Sequence, residues 1–138
     1  MNLKTDMNIN LTTQNQPPSF GIKISPKLKA SLEKQVTTYP NPRILEKNLS
    51  KKLEVISNWA TPTSELTIVK NHYGNYAIGL KKVVNKFFSV LYPIEHLNGK
   101  NELTQFTRLT EKNILDTENT IDYLYKKFGL EIFKKHKV

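Results

Sequence analysis

Cysteine is absent from the 138-residue sequence. Disulfides, thiol nucleophiles and a cysteine zinc ribbon are excluded, which fits a reducing compartment. Glycine is sparse, with five residues, too few and too scattered for a phosphate-binding loop. No apolar run approaches the roughly 20 residues that a bilayer span requires, so no membrane partner is expected. The opening Met1-Asn2-Leu3-Lys4-Thr5-Asp6 has no apolar core behind it. A cleaved secretion signal is therefore not expected, and the cytoplasm is the expected location, with signal-independent secretion left open. Acid is also scarce: 12 Asp and Glu face 21 Lys and Arg, for a formal charge of +9. Such an excess suits RNA, DNA, ribosomes or acidic membranes, and it equally serves solubility. A hydrophobic share of 38% allows one modest core.

Catalytic constellations are missing as well. His72, His96 and His136 lie far apart in sequence with no metal spacing. Ser57, Ser64 and Ser89 lack a nucleophile-elbow context. Glu102, Glu111, Asp116, Glu118 and Asp122 form a local acidic excess without a metal motif. No enzyme, cofactor or metal is expected.

What is present reads as helices. Residues 1–19 are rich in Asn, Thr and Gln and are expected to be a mobile segment, with residues 20–138 as one helical domain. Phe20, Ile22 and Ile24 alternate with polar neighbours and suit a short extended anchor. Ser25-Pro26 opens a helix carrying Leu28, Leu32 and Val36. Asn41-Pro42 opens a second with Leu45, Leu49, Leu53, Ile56 and Ala60 on one face, ended by Thr61-Pro62. Residues 65–81 admit a β-hairpin about Gly74-Asn75. At 100° per residue, however, Ala77, Leu80, Val84, Phe87, Phe88 and Leu91 share a side. That pattern predicts a helix over residues 75–92, with Gly79 on its solvent face, where alanine would be about 1 kcal/mol better. Leu103, Phe106 and Leu109 predict another helix. Asp116 or Thr117 opens a last one, with Ile121, Leu124, Tyr125 and Phe128 inside and Gly129 as its stop. Lys134-Lys135-His136-Lys137 reads as a solvated tail, and Trp59, Phe87, Phe88, Tyr92, Tyr123 and Tyr125 as core and rim aromatics.

Tyr73-Gly74-Asn75-Tyr76-Ala77-Ile78, preceded by Lys70-Asn71, resembles the turn of a Pumilio-type RNA-binding repeat. The resemblance covers residues 41–91, about a third of the chain, and no second copy follows. It implies a helical, solenoid-like setting in which Asn75 touches a base edge and Tyr76 stacks. The second edge-reading position falls on Gly79, which has no side chain, so sequence preference shrinks to ~1 kcal/mol beside roughly 1–3 kcal/mol of stacking. Lys82 and Lys86 continue that face and, with Lys70, are placed to meet phosphates. The expectation is a mostly α-helical domain of about five or six helices, the alternative being α+β with a hairpin at 65–81. Its expected function is non-catalytic, weakly sequence-specific binding of single-stranded RNA. The alternative is a protein-interaction module, such as a small secreted or host-directed helical protein.

Overall fold

The computed structural model describes residues 22–59 and 63–138. The expected mobile segment at 1–19, Phe20 of the anchor, and Ala60, Thr61 and Pro62 at the end of the second helix lie outside the described residues. In chain order the elements are β1 (Lys23–Ile24), α1 (Pro26–Val36), α2 (Pro42–Ile56), β2 (Ser64–Lys70), β3 (Tyr76–Val83), β4 (Ser89–Pro93), α3 (Glu102–Arg108), α4 (Glu111–Phe128) and a 3-10 helix (Glu131–His136). The four strands form one mixed sheet in the order β1-β2-β3-β4, with β1 parallel to β2 and the remaining pairs antiparallel. This α+β architecture overturns the mostly helical, solenoid-like expectation.

The helix expected over residues 75–92 is replaced by β3, a turn and β4, for identifiable reasons. Ala77, Ile78, Gly79 and Leu80 are all buried, so this part of β3 is covered on both faces and loses the period-two alternation that marks a half-exposed strand. Of the other residues of the apparent helical stripe, Phe87 and Phe88 belong to the β3–β4 turn and stay exposed, while Val84 and Leu91 are half-buried. Both hairpin loops are built on asparagine. The Asn71 side-chain oxygen accepts from the N–H groups of Tyr73 (2.9 Å) and Asn75 (3.0 Å), and Gly74 takes φ +83°. The Asn85 oxygen accepts likewise from Phe87 (2.9 Å) and Phe88 (3.0 Å). Asparagine side chains that imitate a backbone turn favour such corners over helix.

Register places Leu66, Ile78, Leu80, Val90 and Tyr92 on one sheet face. They join Leu28, Leu32, Ile56, Phe106, Ile114 and Ile121 in the core. Ser25 Oγ caps α1 by accepting from Leu28 N–H at 3.1 Å, and Leu28, Leu32 and Val36 are buried as the sequence pattern indicates. α4 starts at Glu111 rather than at Asp116 or Thr117, because Thr110 and Asn113 bond each other's backbone in a capping box. Polar contacts then tie α4 to the sheet along its length. Thr117 Oγ1 accepts from Glu95 N–H (2.8 Å), Ser64 Oγ donates to Glu118, and Lys82 pairs with Asp122 at 3.2 Å. Phe128, expected inside, is 54% exposed. Among the described residues no helix is long and apolar enough to cross a membrane.

Two packing details carry consequences. Gly79 is not on a solvent face: a Cβ there would lie 2.5 Å from Val69 Cγ2 and 2.6 Å from the Tyr92 carbonyl oxygen. His136 is not in a solvated tail either. It is fully buried, its Nδ1 lies 2.7 Å from the Lys70 carbonyl, and its ring meets those of His72 and Tyr92 edge-on. A carbonyl only accepts, so Nδ1 carries the proton and Nε2 is a bare lone pair with no partner among the described residues. Burial holds the imidazole pKa below its ordinary value. Neighbouring His72 and Lys135 act in the same direction, against the opposing Lys70 hydrogen bond.

Replacing Gly79 with alanine is expected to cost about 2 kcal/mol by overpacking, measured by urea unfolding. A helical setting would instead gain about 1 kcal/mol from the same change. Gly74→Ala, with open space but a left-handed backbone, is expected to lose about 1 kcal/mol. The unfolded chain protonates His136 near the ordinary value of 6.5, whereas the folded chain does so only at lower pH. Stability is then complete above that value and falls as pH drops through it toward the folded pKa. Thermal midpoints taken from about pH 7.5 to about pH 5.5 are expected to decline, and His136→Asn, which keeps a donor for Lys70 and cannot titrate, is expected to flatten the decline. Equal slopes in parent and variant would show that another group governs the acid limb.

Candidate functional site

The residues expected to meet RNA do not form one surface. Lys70 closes β2, half-buried, with its carbonyl engaged by His136. Asn75 sits exposed in the β2–β3 turn, where its carbonyl accepts from Asn71 N–H at 2.7 Å. Tyr76 begins β3 and is 59% exposed. Gly79 is buried mid-strand, Lys82 is held by Asp122 on α4 with its side chain 15% exposed, and Lys86 lies in the opposite turn. Tyr76 and Lys82 share a face by strand alternation, but six residues of strand hold them roughly 20 Å apart. One helical face carrying Asn75, Gly79, Lys82 and Lys86 does not exist, and the single-stranded RNA reading loses the geometry it rested on.

Exposed aromatics also occur at the far end of the hairpin and on α4. The β3–β4 turn exposes Phe87 (79%) and Phe88 (53%), and the C-terminal part of α4 exposes Tyr123 (59%) and Phe128. Asn85 Nδ2 donates to the Tyr125 hydroxyl at 2.7 Å, which fastens the turn to α4. Lysines lie against these rings: Lys86 is 5.8 Å from the centre of Phe87, and Lys127 is 5.6 Å and 5.5 Å from those of Tyr123 and Phe128. Beside them opens a cleft of about 160 Å³. One wall is Phe88 to Leu91 on β4, and the other is Leu130, Phe133, Lys134 and Lys137. The cleft exists because the 3-10 helix docks against β4 through Phe133, whose ring meets Tyr92 at 6.0 Å, and through His136. Other large apolar side chains are exposed elsewhere, Tyr73 (88%) and Ile44 (60%) among them, so it is the cleft beside Phe88 and its lysines that makes this end of the sheet a candidate surface. The sequence signal for it was Asn85 ahead of Phe87-Phe88, a turn residue that pushes two aromatics outward.

The remaining polar groups serve the scaffold. Glu102 accepts from Ser31 (3.2 Å) and from Gln35, joining α1 to α3. Asp116 pairs with Lys112 at 2.7 Å. Lys52 donates to the Leu109 carbonyl at 2.6 Å, and burial lowers its pKa. Burial, then the Glu95 carboxylate, raises the pKa of the Tyr92 phenol. His72 and His136, distant in sequence, lie 4.9 Å apart between ring centres. Among the described residues no group of three or more His, Cys, Asp or Glu could hold a metal ion.

The family model described as "Putative abortive phage resistance protein AbiGi, antitoxin" matches residues 31–137. No curated protein and no solved structure matches the chain. The matched span runs from within α1 through the 3-10 helix and so includes β2, β3, β4 and the aromatic surface. It overturns the Pumilio-type assignment, whose motif here builds a β-turn and a strand, and with it the RNA-binding function. Antitoxin families are typically non-catalytic. From residue 31 onward, this chain belongs to the AbiGi family of abortive phage resistance antitoxins.

Proposed function

We propose that this protein is the antitoxin of a phage-defence pair and acts by binding a toxin protein and holding it inactive. The observation that carries this reading is the family match across residues 31–137. The exposed Phe87 and Phe88 beside the cleft support it, since solvent-facing aromatics are what a protein partner covers. The partner is thus a protein rather than single-stranded RNA, and the proposed place of action is the cytoplasm, because antitoxins are generally intracellular.

The test is genetic and direct. Each gene flanking the one that encodes this chain is induced in a bacterial host, alone and together with this chain. One flanking product is expected to arrest growth, and this chain supplied in trans is expected to relieve the arrest. Arrest that the chain leaves untouched, or harmless neighbours on both sides, would refute the assignment.

A further inference from the structure

The strand order leaves β4 at one edge of the sheet. Ile94 N–H donates to the Ile78 carbonyl and Val84 N–H to the Phe88 carbonyl, both at 3.1 Å. Hydrogen-bonded pairs recur at every second residue of an antiparallel ladder. Val90 and Tyr92 therefore turn their backbone groups toward β3. The N–H and C=O of Ser89 and Leu91, and the Pro93 carbonyl, point away from it. Among the described residues, no backbone hydrogen bond reaches those outward groups. Ser89 is exposed and Leu91 half-buried.

Edges of natural sheets are normally blunted by charge, proline or a bulge. Here Pro93 blunts one end, at an outward position where its missing N–H is not needed by the ladder. The stretch Phe87-Phe88-Ser89-Val90-Leu91 carries no charge and no proline, and the 3-10 helix that packs beside it leaves a cleft against Ser89, Val90 and Leu91. It is flanked instead by Lys86, Lys134 and Lys137, with Glu131 paired to Lys134 at 2.8 Å as the acid on the 3-10 helix. An open, uncharged edge beside a lysine rim attracts an acidic strand. A second copy of this chain would bring the same lysines face to face, which is unfavourable.

We propose that the open edge of β4 is where the toxin docks, taking as a fifth strand an extended segment that carries apolar and acidic residues on its cleft-facing side. The outward amides of Ser89 and Leu91 bond that strand, an apolar side chain fills the cleft against Leu130, and its carboxylates meet Lys134 and Lys137. This inference rests on the antitoxin reading of the preceding section.

The purified flanking-gene product that arrests growth serves as the probe, titrated calorimetrically against the full chain. Leu91→Pro removes an outward N–H that β3 does not use. The variant is expected to keep its circular dichroism and thermal midpoint while losing at least about tenfold in affinity. The pair Lys134→Glu and Lys137→Glu is expected to weaken binding and reduce its salt dependence. Hydrogen exchange decides the matter even if Leu91→Pro fails to fold. The amides of Ser89 and Leu91 should exchange freely in the parent alone and become protected in the complex. A toxin that is bound and neutralised while both amides stay unprotected overturns the edge site and leaves the antitoxin assignment standing. A growth-arresting product that does not bind at all overturns both. Protection that develops in the chain alone, with a dimer in sedimentation, assigns the edge to self-association and also overturns the proposal.

Discussion

Strand β3 is bonded on both sides and, over residues 77–80, buried on both faces, and the rest of the molecule is arranged to meet that double demand. Alternate backbone groups reach β2 and β4. Ile78 and Leu80 face the helices, while Ala77 and Gly79 lie on the opposite face. Gly79 is what permits this, because its missing side chain leaves the space that Val69 occupies. The register of β2 on β3 is therefore fixed sterically as well as by its ladder. A strand whose own polar groups are all consumed passes the unpaired ones outward. They collect on β1 and on β4, and among the described residues β4, with five residues against two, is the one long enough to offer a partner a ladder.

The helices were legible in the sequence where local chemistry alone decides them. Ser25-Pro26 with Leu28, Leu32 and Val36 specifies α1, and Gly129 at φ +76° stops α4. Legibility failed where a distant contact decides. Burial on both faces erased the alternation of β3, and Phe87 and Phe88 completed a false helical stripe from a turn. The start of α4 was missed because its capping box uses Asn113 where Glu or Gln is usual. Nothing local in a run of lysines shows that His136 reaches back to the Lys70 carbonyl. The site was misplaced for the same reason. Asn75, Gly79, Lys82 and Lys86 share a face only if the backbone is a helix.

The basic charge misled in a different way. Net charge describes the field around a protein and its non-specific attractions, not the class of its specific partner. Several of the lysines are occupied within the fold: Lys82 by Asp122, Lys52 by the Leu109 carbonyl and the Trp59 face, Lys112 by Asp116 and Lys134 by Glu131. Those left around the aromatic surface are cations on an apolar ground. That combination suits a protein partner at least as well as a nucleic acid, and an antitoxin family implies a protein partner, its cognate toxin.

An inhibitor of another protein gains from a surface that is rigid before contact, since each side chain or loop that must be ordered on binding weakens the complex. The three pieces of this surface are each anchored to the same sheet. The β3–β4 turn is closed by Asn85 and tied to α4 through Tyr125. α4 is held by Thr117, Glu118 and Asp122. The 3-10 helix is held by Phe133 and by the buried imidazole of His136. On the proposed edge site, the buried histidine acts through position alone. By fixing the last turn of chain against β2 and β4, it sets where Lys134 and Lys137 stand relative to the open edge. A residue far from any base or nucleophile then bears on recognition, because the geometry of the lysine rim is inherited from one hydrogen bond to the Lys70 carbonyl.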